Sequence, residues 1–196
     1  MRGQWLGAAI MLMVLTGCTG DPPPQPPPTV PVTSAPSVPS GPTLPSAPPV
    51  PSPLNATVFE TEPCRSLTGA QQQQFGLDSG TVKDAAVEGK SCFYRYPGPM
   101  PQAVSVTYAS KSTNGLTIRY IEHARGAYKY WEPATVDGYP AAGYDPGIDL
   151  QFCSFAVGLT DSLFFWVTAP DNAGAGRCST AKAVATAVVA TIRANQ

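Results

Sequence analysis

One histidine, His123, stands in the whole 196-residue chain, and that scarcity closes off a good deal of chemistry. A nucleophile–base triad needs an imidazole beside a hydroxyl or thiol. His123 sits in Glu122-His123-Ala124-Arg125, a polar stretch that reads as the exposed face or end of an element. Cysteines are also few, five in all, and none forms a C-x-x-C pair, so neither a zinc site nor a dithiol redox site is expected, and no metal or cofactor is assigned. The glycine-rich stretch Gly174-Ala175-Gly176 lacks the lysine and the spacing of a phosphate-binding loop. Basic surplus is missing too: 12 Lys and Arg against 13 Asp and Glu give a net charge of −1, which excludes a nucleic-acid partner held by phosphate contacts. No apolar run approaches the about 20 residues that a membrane-spanning helix requires, and no internal repeat is visible.

What the chain does have is organised around Leu15-Thr16-Gly17-Cys18. Arg2 supplies a positive start, and Trp5 to Leu15 is an uncharged apolar segment of signal-peptide length. Its end resembles the bacterial lipobox. In that kind of signal the Cys18 thiol is alkylated with diacylglycerol, and cleavage before it removes residues 1–17. A thiol is needed as the nucleophile, and the small residues Thr16 and Gly17 give the peptidase access to the backbone. Two acyl chains on one residue make a stable anchor where one is marginal, because each buried methylene adds about 0.8 kcal/mol. The expectation is a lipid-anchored, extracytoplasmic protein on the outer face of the cell membrane.

From Cys18 to Asn55 the composition is that of a tether, with 15 of the 23 prolines between Pro22 and Pro53. Repeated X-Pro steps remove backbone donors and bias the chain to polyproline II, at about 3.1 Å per residue. A plain spacer is the favoured reading over a proline-motif ligand. Serine and threonine beside proline permit O-glycosylation, and Asn55-Ala56-Thr57 is a three-residue sequon match.

Residues 56–196 then suffice for one domain with one core. Setting Cys18 aside leaves Cys64, Cys92, Cys153 and Cys178, an even set that reads as two disulfides in an exported domain. Three pairings are possible; Cys64–Cys92 with Cys153–Cys178 is favoured because each bond then ties a helix start to a strand.

Along the domain, Thr68 and Gln71 fit a capping box for a short helix ending near Gly76, with Leu67 and Phe75 on its buried side. Ser91 to Tyr96 alternates so that Cys92, Tyr94 and Tyr96 share a face, and Val104, Val106 and Tyr108 repeat the period of two as an antiparallel partner. Asn114 is a candidate cap for a helix through about Ala124, with Leu116, Tyr120 and Ala124 in one stripe; a strand beginning at Thr117 is the alternative. One or two strands are expected around Asp137-Gly138-Tyr139-Pro140. Leu150 to Leu159 and Ser162 to Ala169 form the clearest hairpin, its second arm apolar enough to be a central strand. After the glycine-rich loop from Asn172, Ala181, Val184, Val188 and Ile192 mark one stripe of a last helix, Ser179 to Arg193. The order of elements points to α+β, an antiparallel β-sheet with helices packed on one face.

With the elements placed, the chain resembles the actinobacterial lipoprotein family called domain of unknown function 3558. The matching features are the lipobox and tether, Pro63-Cys64-Arg65-Ser66-Leu67-Thr68, Cys92 before an aromatic strand, Asp137-Gly138-Tyr139-Pro140-Ala141, Cys153 in a strand, and Cys178 opening the last helix. Phe93-Tyr94 departs from the tryptophan expected in the second position after Cys92. The resemblance implies an exported envelope lipoprotein with two disulfides inside the domain, and it carries no reaction.

Two functional readings remain. The leading one is a non-catalytic binding or adaptor domain for an envelope protein or a small apolar ligand. Its candidate surface is Tyr128, Tyr130, Trp131, Tyr139 and Tyr144, interleaved with Arg125, Lys129 and Glu132, although aromatics so placed also serve as ordinary core. The alternative is an envelope hydrolase acting on wall polysaccharide through Asp137, Asp145 and Asp149, even though Asp137-Gly138 and Asp145-Pro146-Gly147 are turn sequences in their own right.

Overall fold

The computed structural model describes residues 44–85, 88–99, 102–147, 151–171 and 176–196. Residues 1–43, which hold the leader, Cys18 and most of the tether, lie outside the described residues, as do Asp149, Leu150 and residues 172–175 of the glycine-rich loop.

Seven strands form one antiparallel sheet: β1 (Thr81–Ala85), β2 (Gly89–Arg95), β3 (Ala103–Tyr108), β4 (Trp131–Val136), β5 (Tyr139–Tyr144), β6 (Phe152–Gly158) and β7 (Phe164–Pro170). Their spatial order is β1-β2-β3-β7-β6-β5-β4, so β7 is the middle strand, as its apolar run implies. Phe164, Phe165, Trp166 and Val167 are all buried because both faces of β7 are covered.

Helices α1 (Thr57–Thr61), α2 (Gly69–Gln74), α3 (Thr117–Ala124) and α4 (Ser179–Arg193), with a 3-10 turn at Pro63–Ser66, complete the α+β fold. The main core lies between one sheet face and α4, whose Ala181, Val184, Val188 and Ile192 meet Val106, Val167, Phe155 and Val157. Thr68 accepts from the Gln71 backbone and Gln71 answers the Thr68 N–H, so the capping box is complete. The same Gln71 side chain donates to Ala187 O at 3.1 Å and accepts from Thr191 at 3.0 Å, tying α2 to α4.

The cysteines pair as Cys64–Cys92 and Cys153–Cys178, with Cα atoms 4.9 and 5.1 Å apart. At the β4–β5 hairpin Asp137 and Gly138 both take positive φ, 50° and 87°, the conformation of a two-residue type I′ turn.

Several elements differ from the sequence reading. α3 starts at Thr117 with no side-chain cap, and the Asn114 backbone N–H donates to Ser112 Oγ at 3.4 Å. Gly115 (φ 51°) turns the chain ahead of the helix and donates its N–H to Ser162 O at 3.2 Å, where a Cβ would clash with the Asp161 backbone. Leu116 is buried and Tyr120 half-buried, but Ala124 is exposed. β1 and α1 are additional elements. Residues 47–54, part of the proline-rich stretch, lie along the domain: Ala47 N donates to Thr117 Oγ1, Val50 N to Asp161 Oδ1 and Leu54 N to Leu159 O, at 3.2, 3.1 and 2.9 Å.

Candidate binding face

The second sheet face is the one away from α4. Strand registers place one cross-strand row across all seven strands: Thr81, Phe93, Ser105, Thr168, Ser154, Tyr144 and Trp131. Hydroxyls fill its middle, with Ser154 and Thr168 bonded at 2.8 Å, and aromatic rings stand toward both ends. α3 packs on the β4–β7 part of this face, and its Arg119 reaches as far as Glu88, just ahead of β2.

Under α3 the organising residue is Arg119. Its side chain lies 5.0, 5.3 and 5.5 Å from the ring centroids of Trp166, Phe164 and Tyr144. One guanidinium nitrogen meets Glu122 at 2.8 Å and the other Glu88 at 3.4 Å. Burial by itself disfavours the charged form, but the neighbouring Tyr144, Glu122 and Tyr128 oxygens outweigh it and hold the guanidinium above its ordinary pKa. Arg119 is therefore a fixed positive charge, and its buried Nε has no hydrogen-bond partner among the described residues. Tyr128 donates to Glu122, and burial together with that carboxylate raises the phenol's pKa.

The five aromatic candidates divide. Tyr139 is buried in the main core, on the α4 side. Tyr144 is buried on the second face with Phe164 and Trp166. Trp131 is half-buried and its ring is already stacked, with His123 at 4.8 Å and Tyr128 at 5.9 Å, while Tyr120 meets it edge-on at 5.0 Å. Tyr130 packs toward the main core and carries Arg177 over its ring at 4.5 Å. The structure thus brings Tyr128, Trp131 and Tyr144 together and separates Tyr130 and Tyr139 from them.

Asp137 and Asp145 lie beyond opposite ends of β5, whose six residues span about 20 Å at about 3.3 Å per residue, far beyond the about 5–9.5 Å of a glycosidase pair. Asp145 is buried and spends its Oδ1 on the Lys129 and Tyr130 N–H groups, at 3.0 and 3.2 Å. Asp137 faces Arg193 at 3.6 Å. Among the described residues no group of three or more His, Cys, Asp or Glu is placed to hold a metal.

Beside α3, Ser91 and Thr107 are still buried, but Thr81, Lys83, Phe93 and Arg95 on the same face are exposed among the described residues. A groove of about 370 Å³ lies there, its floor carrying Phe93 and Phe152, its polar lining Thr81, Ser105 and Thr168, and its charges Lys83 and Arg95. Phe93 is 38% exposed, unusual for a large apolar side chain in this domain. In the sequence, Phe93 and Arg95 fall at the phase opposite Cys92, Tyr94 and Tyr96, while Thr81 and Lys83 lie in a stretch without alternation. The available signal was Phe93 itself, an apolar residue at the polar phase of an alternating strand.

A family model described as a protein of unknown function, DUF3558, matches residues 13–191. The chain belongs to this family. No curated protein and no solved structure matches it. In this DUF3558 chain the stretch from Pro63 to Thr68 acts as a structural clasp: Cys64 is disulfide-bonded, Ser66 meets the Tyr108 hydroxyl at 2.7 Å, Leu67 enters the core and Thr68 caps α2. Its Asp137-Gly138 pair is the hairpin turn, and Cys178, at φ 61°, is the residue just before α4.

Proposed function

We propose that the chain is an actinobacterial-type envelope lipoprotein, held on the outer face of the membrane by a diacylglyceryl anchor on Cys18, whose domain binds a partner or small ligand without transforming it. The lipobox-like Leu15-Thr16-Gly17-Cys18 supports the anchor, and the family match beginning at residue 13 takes that stretch in. The observation that carries binding is the open groove on the second face, with an exposed Phe93 at its centre. Its volume falls at the small end of the about 300–1,000 Å³ of ligand sites, and its mix of apolar floor and few polar groups fits their composition.

Two measurements test this. Cell fractionation should find the Cys18→Ala protein released from the membrane; retention at the wild-type level removes the anchor. A photoreactive phenylalanine analogue at position 93 should give adducts in intact cells that the same analogue at Val82, an exposed edge-strand position, does not. Equal adducts at both positions remove the binding reading.

A further inference from the structure

The groove's chemistry narrows what it holds, given the binding reading above. Lys83 and Arg95 lie on either side of Phe93: Thr81 pairs with Phe93, so Lys83 stands two residues along one way and Arg95 two residues the other way. That spreads the two cations over about 13 Å of strand. Neither side chain has an ion-pair partner among the described residues, whereas Arg65, Arg119, Arg177 and Arg193 each have one. No carboxylate lines the groove among the described residues. Asp84, next to Lys83, alternates to the other side of β1 and lines a different hollow with Glu60 and Lys90. Phe93 lies between the cations, and the half-buried Phe152 stands three strands across the sheet from it, with Ser105 and Thr168 between the two rings.

An exposed aromatic ring flanked by two unanswered cations, with a second ring across the groove, is complementary to an acidic ligand with an apolar body. We infer that the groove binds a small organic anion, its flat or chain-like hydrocarbon part seated on Phe93 and Phe152 and its anionic group facing Lys83 or Arg95. A neutral apolar molecule leaves both cations without counter-charge. An inorganic anion leaves the aromatic floor exposed to water.

A matched probe pair reads the two parts separately: anilinonaphthalene sulfonate, and N-phenyl-1-naphthylamine, the same ring system without the sulfonate. The full chain should bind the sulfonate about tenfold or more tighter than the neutral twin, by fluorescence titration. Lys83→Gln and Arg95→Gln, each checked for unchanged circular dichroism, should together bring the two probes to within about threefold of each other, because exposed cations contribute modestly. Raising salt should weaken the sulfonate alone. Phe93→Ala should weaken both probes. Equal affinity for the two probes, with Phe93→Ala weakening both, overturns the anion inference and leaves the groove a binding site for neutral ligands. Binding of either probe that ignores Phe93→Ala overturns the inference at this location, and absence of position-93 adducts in cells separately removes the parent reading.

Discussion

Arg119 lies with its guanidinium carbon 5.0 Å from the centroid of the Trp166 ring, while the same group reaches Glu122 at 2.8 Å. One side chain from α3 therefore covers the apolar rings of β7 and satisfies two carboxylates at its rim. Arg119→Ala should strip both contributions and cost about 2–3 kcal/mol in urea unfolding, since a mostly buried cation is lost and its partners are left unpaired. Arg119→Lys keeps a charge but not the planar fork, and should recover less than half of that. A loss below about 0.5 kcal/mol for Arg119→Ala would mean that α3 is held by its apolar contacts alone.

Alkaline pH should unfold the domain earlier than its carboxylates and lysines alone would imply. Burial raises the phenols of Tyr94 and Tyr144 from 10.0 to about 12, and raises Tyr108 further still. A phenol with a raised folded-state pKa contributes stability that is complete below the unfolded value and lost as pH rises through the folded one. The loss should therefore fall between about pH 10 and pH 12 for Tyr94 and Tyr144. Phenolate absorbance followed against pH, in native buffer and in denaturant, should show the native curve displaced upward; superimposed curves would contradict the burial of these rings.

Gly80→Ala is expected to be among the most damaging single methyl additions. A Cβ there would stand 2.8 Å from Tyr94 Cε1 and 2.9 Å from Cys64 Sγ, and closer still to Cys92 Sγ. Neither sulfur can retreat while bonded, so overpacking should cost about 1–3 kcal/mol. Oxidative refolding of the variant should also give less of the Cys64–Cys92 bond by non-reducing peptide mapping. Gly69→Ala, whose Cβ meets nothing within 4 Å, is the control that should be nearly silent.

The two disulfides close loops of 28 and 25 residues, and removing either pair by double serine substitution should cost about 3–4 kcal/mol on the chain-entropy model. Peptide mapping of the native protein should recover only Cys64 with Cys92 and Cys153 with Cys178. Thr68→Ala, by contrast, removes one cap and should cost about 1 kcal/mol.

Local signals made much of this fold legible. The Thr68–Gln71 box, the Asp137-Gly138 turn, the apolar run of β7 and the stripe of α4 are each decided by residues close together in sequence. β1 escaped because its only described apolar side chain of note, Val82, is itself exposed on an edge strand, so no alternation marks it. Arg119 escaped for a different reason. The rings that bury it come from β5 and β7, and a lone arginine on a short helix otherwise reads as a solvated charge. The aromatic cluster was legible as a composition but not as a surface: Tyr139 and Tyr144 are five residues apart on one strand, an odd spacing that sends them to opposite faces. Nor could the groove be read locally, because Lys83, Phe93, Ser105, Thr168 and Phe152 meet only through the registers of five strands.

Asn55, just ahead of α1, is clasped to Gln196, just beyond α4. Asn55 N donates to Gln196 Oε1 at 2.9 Å, and Gln196 Nε2 returns a bond to Asn55 O at 3.3 Å. A pull on the chain ahead of residue 44 is thus met first by the Ala47, Val50 and Leu54 bonds to Thr117, Asp161 and Leu159, then by the clasp at the C-terminus. Tension is taken up at the tip of the β6–β7 hairpin and the end of α4. β1 and β2, which carry Lys83, Phe93 and Arg95, make none of these bonds, so tension ahead of residue 44 need not reach the proposed binding groove.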